Sequence, residues 1–200
     1  MVSLHPPSRL VPSASQDSSP PSAPLADEAL MLQLAEGDEA ALRELIRRWQ
    51  TTLLNFFYRS VNDHALAEEL TQTVFIRLYR AAPRYRATAK FSTYLFHIAR
   101  RLLINAVQKA ARRPATPTAP EELHAIDGSA TDRRLAELEE IFRVALPNLP
   151  ENQRTAILLL KQQQLSYAEI ATIMRASESA VKTWIFRARQ TLKQSLDAEV

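Results

Sequence analysis

The sequence predicts an all-α protein of two small helical domains joined by a flexible linker, the second containing a helix-turn-helix. Apolar residues recur with a helical period through two blocks of the chain, and strand-like alternation occurs nowhere. Between the blocks, the Pro-rich stretch "RRPATPTAPEELHAIDGSAT" from Arg112 to Thr131 is longer than connections inside compact domains normally are.

Residues 1–24 are rich in proline and serine and poor in large apolar groups. They cannot repay the entropy of ordering and read as a disordered tail. The first domain is expected over 25–112. Gly37 can end one helix in a left-handed conformation and Asp38 can cap the next. Leu42, Leu45, Ile46, Trp49, Leu53 and Phe56 or Phe57 form the stripe of that helix. A third helix carries Leu66, Leu70, Val74 and Leu78 up to Pro83, and a fourth carries Phe91, Leu95, Ile98 and Leu102. One apolar stripe on each helix predicts a small bundle. After a linker over 113–131, residues 132–200 form a second domain with its own core. Pro147 and Pro150 stop one helix and start the next. The segments "ENQRTAILLLKQQQL", "SYAEIATIM" and "SESAVKTWIFRARQTLKQSL" then supply three more helices.

The 200 residues, 46% of them hydrophobic, suffice for two modest cores. Without cysteine the chain has no disulfide framework, thiol-rich metal site or thiol nucleophile. No apolar run approaches the roughly 20 residues that span a bilayer, and no signal-peptide core is evident. A cytoplasmic protein that does not insert into the membrane is therefore expected. The net charge is only +3, but its distribution is uneven. Nine acids face four bases from Asp27 to Glu69, whereas the 37 residues from Arg77 to Arg113 hold ten bases and no acid. Carried on folded helices, such a block is the footprint of a phosphate-binding surface.

In "LSYAEIATIMRASESAVKTW", Ser166 and Glu169 have the spacing of a capping box. Ile170, Ala171 and Met174 point inward, and after a short turn Ser177 caps a second helix. This is the spacing of a helix-turn-helix, although the turn lacks the glycine often found there. On the second helix Val181, Ile185, Ala188 and Leu192 share a narrow buried arc, with Trp184 at its border. Ser179, Lys182, Thr183, Phe186, Gln190 and Lys193 lie opposite, flanked by Arg187 and Arg189. Ser177, Glu178, Ser179, Lys182 and Thr183 occupy the N-terminal turns, where side chains and the helix dipole can reach bases or phosphates of duplex DNA. Phe186 lies one turn beyond them and is expected to pack against the first domain or a protein partner.

The first block has a signal of its own. "RYRATAKFSTYLFHIARR" interleaves Arg84, Arg86, Lys90 and Arg100 with Tyr85, Phe91 and Tyr94, a combination suited to single-stranded DNA. Phe91 and Tyr94 also lie on the apolar side of the fourth helix, where a core role is the alternative.

Together these segments resemble the extracytoplasmic-function type of bacterial RNA polymerase sigma factor. The motifs "GDEAALRELIRRW", "AEELTQTVFIRLYR", "FSTYLFHIARRLLI", "LPENQRTAILLLKQQQLSYAEIA" and "AVKTWIFRARQTL" follow the family's order and spacing over about residues 27–196. The resemblance implies that the first domain binds core RNA polymerase and captures melted promoter DNA, and that the second reads the upstream element. Glu69 and Gln72 in "EELTQ" would then lie on the polymerase-binding surface. The loop "RYRATAK", with Arg84, Tyr85, Arg86, Thr88 and Lys90, would capture the melted strand beside Arg100, Arg101 and Asn105. Glu69, Tyr94, Arg101 and Asn105 stand where the family commonly has aspartate, tryptophan, asparagine and aspartate. An anti-sigma factor is a possible further partner implied by the family.

A stand-alone helix-turn-helix regulator is the alternative, but it would need a dimerisation surface or ligand pocket and has no use for the basic aromatic loop. Catalysis is not expected. His5, His64, His97 and His124 are scattered, adjacent Glu68 and Glu69 point in different directions, and no motif for a metal, cofactor or nucleophile is present.

Overall fold

The computed structural model describes residues 26–112, 142–163 and 165–198; the expected tail and linker lie outside the described residues. Every regular element among the described residues is helical. They are α1 (Asp27–Ala35), α2 (Glu39–Val61), α3 (His64–Ala81), a 3-10 turn (Ala82–Arg84), α4 (Phe91–Ala111), α5 (142–148), α6 (Glu151–Gln163), α7 (Tyr167–Met174) and α8 (Glu178–Ala198).

The breaks between helices follow the sequence signals. Gly37 takes φ +99°, a conformation that would strain a residue with a Cβ. Asp38 next to it accepts the Ala40 N–H at 2.8 Å and starts α2. Asp63 caps α3 by accepting the Leu66 N–H at 3.0 Å. Pro147 lies inside the last turn of α5 rather than beyond it, because the fixed φ of proline is itself helical.

The stripes meet as expected. Leu45, Leu53, Phe56 and Phe57 of α2, Leu70, Val74 and Leu78 of α3, and Phe91, Leu95 and Leu102 of α4 are buried together. Phe56 meets Phe96 edge-on with centroids 5.3 Å apart, and Trp49 meets Phe91 at 5.7 Å. Such aromatic pairs contribute about 0.5–1.5 kcal/mol beyond the area they bury. In the second unit Ile170, Ala171 and Met174 of α7 face Val181, Ile185, Ala188 and Leu192 of α8, all buried.

The expected separation of the two cores is not what the structure shows. Helix α7 packs on α4 and α6 packs on α2. The buried residues of both units form one cluster. Local periodicity marks one stripe per helix and carries no information about a second packing face on α4.

A contact across 63 residues fixes the start of α4. Lys90 precedes this helix and offers no side-chain cap. Instead the Glu28 carboxylate accepts the Phe91 N–H at 2.6 Å, where a negative group also suits the positive helix end. Neighbouring Asp27 accepts from Arg48 at 2.8 Å and from the Trp49 indole at 2.9 Å, anchoring α1 to α2. Glu28→Ala is expected to lower stability by about 1–2 kcal/mol, read as a lower denaturant midpoint with unchanged slope.

Candidate nucleic-acid interface

Helix α4 and the loop before it carry the first group of candidate residues. The 3-10 turn ends at Arg84, the chain extends through Tyr85, and the Thr88 N–H closes a tight turn on the Arg86 carbonyl at 2.8 Å. Arg84, Arg86, Thr88 and Lys90 are exposed along this loop, with Arg101 and Asn105 exposed on α4. Asn105 lines a shallow surface hollow with Gln108, Lys109 and Arg112. The loop and the hollow thus place a row of cations and amides along one helix and its approach, with no metal-binding cluster of His, Cys, Asp or Glu among the described residues.

Tyr85 departs from the expected placement. The residue is 7% exposed and its ring packs edge-on against Tyr94 at 5.2 Å, so it offers no open stacking platform in this conformation. The 3-10 turn directs the ring inward, and sequence spacing could not reveal that turn. The Tyr85 hydroxyl is buried without a hydrogen-bond partner. Burial, with Glu28 close by, raises its pKa. Phe91 is core, and Tyr94 is half-buried against it. Arg100 is also largely covered, with its side chain 16% exposed.

The helix-turn-helix forms as its caps require. Ser166 Oγ accepts the Glu169 N–H at 3.3 Å while the Glu169 carboxylate accepts the Ser166 N–H at 2.7 Å. Arg175 ends α7 with φ 52°, filling the left-handed position that glycine would take more cheaply. Ser177 Oγ accepts the Ala180 N–H at 3.2 Å, so this hydroxyl is partly committed to capping α8. Glu178, Ser179, Lys182, Thr183, Arg187 and Arg189 are all exposed. Thr183 donates its hydroxyl to the Ser179 carbonyl at 2.9 Å, and Lys182 Nζ lies 5.9 Å from the Tyr167 ring centroid.

Phe186 is 61% exposed and lies outside the buried cluster. Packing against the first unit, one of its expected partners, is therefore corrected: α7 rather than α8 makes the main contact with α4.

Glu69 and Gln72 are exposed on α3, one turn apart. Sequence reasoning missed their neighbours Ile76 and Tyr79, which are 50% and 51% exposed. Together with Leu42, Ile46 and Phe75 they line an apolar groove between α2 and α3, edged by Glu39, Arg43 and Arg80. The available signal was their position off the Leu66–Leu70–Val74–Leu78 stripe.

Two further groups are shifted electrostatically. Bonds from Lys90 and Ser166 hold the Glu169 carboxyl down at about 2. Burial lowers the His97 pKa, reinforced by Arg175, Arg101 and Arg100. Because the Glu169 pKa falls on folding, its stabilising share is complete above about pH 4.5 and lost as pH drops toward about 2. Thermal melts across that range should show a smaller acid loss in Glu169→Gln than in the wild-type chain.

Two family models match the chain: Sigma-70 region 2 over residues 45–113 and Sigma-70 region 4 over 139–192. The RNA polymerase sigma-H factor of Pseudomonas aeruginosa is 31% identical over 180 residues, covering 85% of this chain and 93% of that protein. The chain belongs to the extracytoplasmic-function type of RNA polymerase sigma factor. The ECF RNA polymerase sigma-E factor of Haemophilus influenzae is 30% identical over 182 residues, covering 86% of this sigma factor and 96% of its relative. Among solved structures, CnrH in complex with the cytosolic domain of CnrY superposes with TM-score 0.67 at 22% identity, covering 87% of this chain and 99% of that one. The sigma factor RpoE bound to the anti-sigma factor NepR from Bartonella quintana gives 0.61 at 20%, covering 79% and 98%. Both share the helical fold. No described helix of this sigma factor is long and apolar enough to cross a membrane.

Proposed function

We propose that this sigma factor binds core RNA polymerase, directs it to specific promoters and helps open the DNA for transcription initiation. The observation that carries the reading is one chain holding both an acid-free basic block of sequence at 77–113 and a capped helix-turn-helix with a polar, basic outer face. Cations on the first surface can follow single-strand phosphates, and the second can enter a major groove.

On this reading residues 25–112 engage polymerase and the melted element, 113–131 connect, and 132–200 read the upstream element. Arg84, Arg86, Thr88, Lys90, Arg100, Arg101 and Asn105 hold the melted strand, and Tyr85 joins them only if its ring leaves the Tyr94 contact. Ser177, Glu178, Ser179, Lys182, Thr183, Arg187 and Arg189 face upstream DNA. Glu69 and Gln72, with Ile76 and Tyr79 beside them, form the polymerase contact. The site of action is the cytoplasm, and phosphodiester synthesis belongs to the polymerase. An anti-sigma factor is a further partner, supported by the complex in which the related fold of RpoE was solved.

The upstream contacts are testable by salt titration of holoenzyme on promoter DNA. Lys182→Ala and Arg187→Ala should each weaken binding across sequences and flatten the log–log salt slope by about one unit. An unchanged slope would remove that residue from the phosphate contacts.

A further inference from the structure

Lys90 stands at the N-cap of α4 and gives that helix no side-chain cap. The position favours Ser, Thr, Asp or Asn, and a cation there meets the positive end of the helix dipole. Asp38, Asp63 and Ser166 cap α2, α3 and α7 from within their own segments. Helix α4 instead takes its cap from 63 residues away, where the Glu28 carboxylate accepts the Phe91 N–H at 2.6 Å. Neighbouring Asp27 accepts the Trp49 indole N–H at 2.9 Å, and the Trp49 ring packs edge-on against that of Phe91 at 5.7 Å. Two adjacent acids of α1 thus grip one residue, Glu28 by its backbone and Asp27 by its ring through Trp49. A local rule broken and repaired from a distance is characteristic of functional positions, and Lys90 belongs to the basic loop read above as the strand-capture loop.

We infer that Glu28 is a positioning residue for capture of the melted strand: acting through the Phe91 N–H, it fixes the far end of the loop and so the places of Arg84, Arg86 and Lys90, without touching DNA itself. The inference rests on the melted-strand reading of that loop. The near end is held where the Tyr85 N–H meets the Ala82 carbonyl at 3.0 Å and the Tyr85 ring meets Tyr94. Between these ends the Thr88 N–H closes on the Arg86 carbonyl and the cations are exposed, so their spacing is inherited from the anchors. Helix α1 is a firm anchor, with Leu30, Met31 and Leu34 buried and the helix packed on α2 and on the 3-10 turn. Charged contacts at a binding site are effective when their supporting shell holds them to within about 0.5 Å. A remote cap frees the N-cap position to carry a lysine, while a carboxylate turned onto the backbone offsets the charge.

Holoenzyme reconstituted from the full chain and purified core enzyme provides the test, with promoter opening followed by the reactivity of unpaired thymines and closed complexes by gel retardation. Glu28→Ala should slow opening about tenfold and leave closed-complex formation unchanged. Glu28→Gln keeps an oxygen to accept the Phe91 N–H and should open within about twofold of the wild-type rate. Asp63→Ala, which removes the α3 cap at a similar expected cost in stability, should open as the wild type does. In the chain with Arg84, Arg86 and Lys90 all replaced by alanine, adding Glu28→Ala should slow opening by less than about twofold more, because the contacts it positions are already gone. A full tenfold effect on that background, equal slowing by Asp63→Ala, or a Gln variant as slow as the Ala variant would each overturn the inference. So would wild-type opening by Glu28→Ala while the triple variant is slow. A triple variant that opens normally would instead overturn the melted-strand reading, and the inference with it.

Discussion

Ile76→Glu is expected to weaken the complex with core RNA polymerase by about a hundredfold, the scale of a central apolar anchor replaced by a charge. Ile76 is half exposed in a groove with Leu42, Ile46 and Tyr79, so the charge costs little in the free protein and much against a partner that must desolvate it. Its thermal midpoint should stay close to that of the wild type. Glu69→Ala and Gln72→Ala, at the polar end of the same helix face, should show smaller losses. Affinity measured with fluorescently labelled protein and purified core enzyme checks this. Wild-type affinity for Ile76→Glu would place the polymerase contact elsewhere.

The second large effect concerns opening. Replacing Arg84, Arg86 and Lys90 together by alanine should slow promoter opening by about a hundredfold, since three charge-assisted phosphate contacts are lost in the step that exposes single strands. The closed complex should form nearly as before, because the proposed duplex contacts come from α8. Reactivity of unpaired thymines reports opening, and gel retardation reports closed-complex formation. Equal loss of both would assign the loop a structural role. None of the three side chains is buried, so loss of folding is not the expected cause of a defect.

Local chemistry made much of this molecule readable. The stripe Val181, Ile185, Ala188 and Leu192, the Asp38 cap and the Ser166–Glu169 capping box depend on residues within a few positions of one another, and periodicity or cap spacing reveals them. The candidate cations of the loop were legible for the same reason: their charge and exposure do not depend on distant partners. Tyr85 was misplaced because its orientation depends on a 3-10 turn and on Tyr94 across the loop. Glu28 at the start of α4, and Glu151 and Glu169 opposite Arg100 and Lys90, act across long stretches of sequence. Pairing of that kind is set by how helices dock. Phe186 lies on the outer face as its position on the helix predicts, and among the described residues it stays outside the buried cluster.

This protein is expected to confer promoter recognition on core RNA polymerase. The most direct measurement is RNA synthesis from a library of promoter fragments by purified core enzyme, with and without the protein. Initiation from a distinct subset of fragments, at defined start sites and only when the protein is present, is the predicted result. A transcript profile unchanged by adding the protein would contradict it.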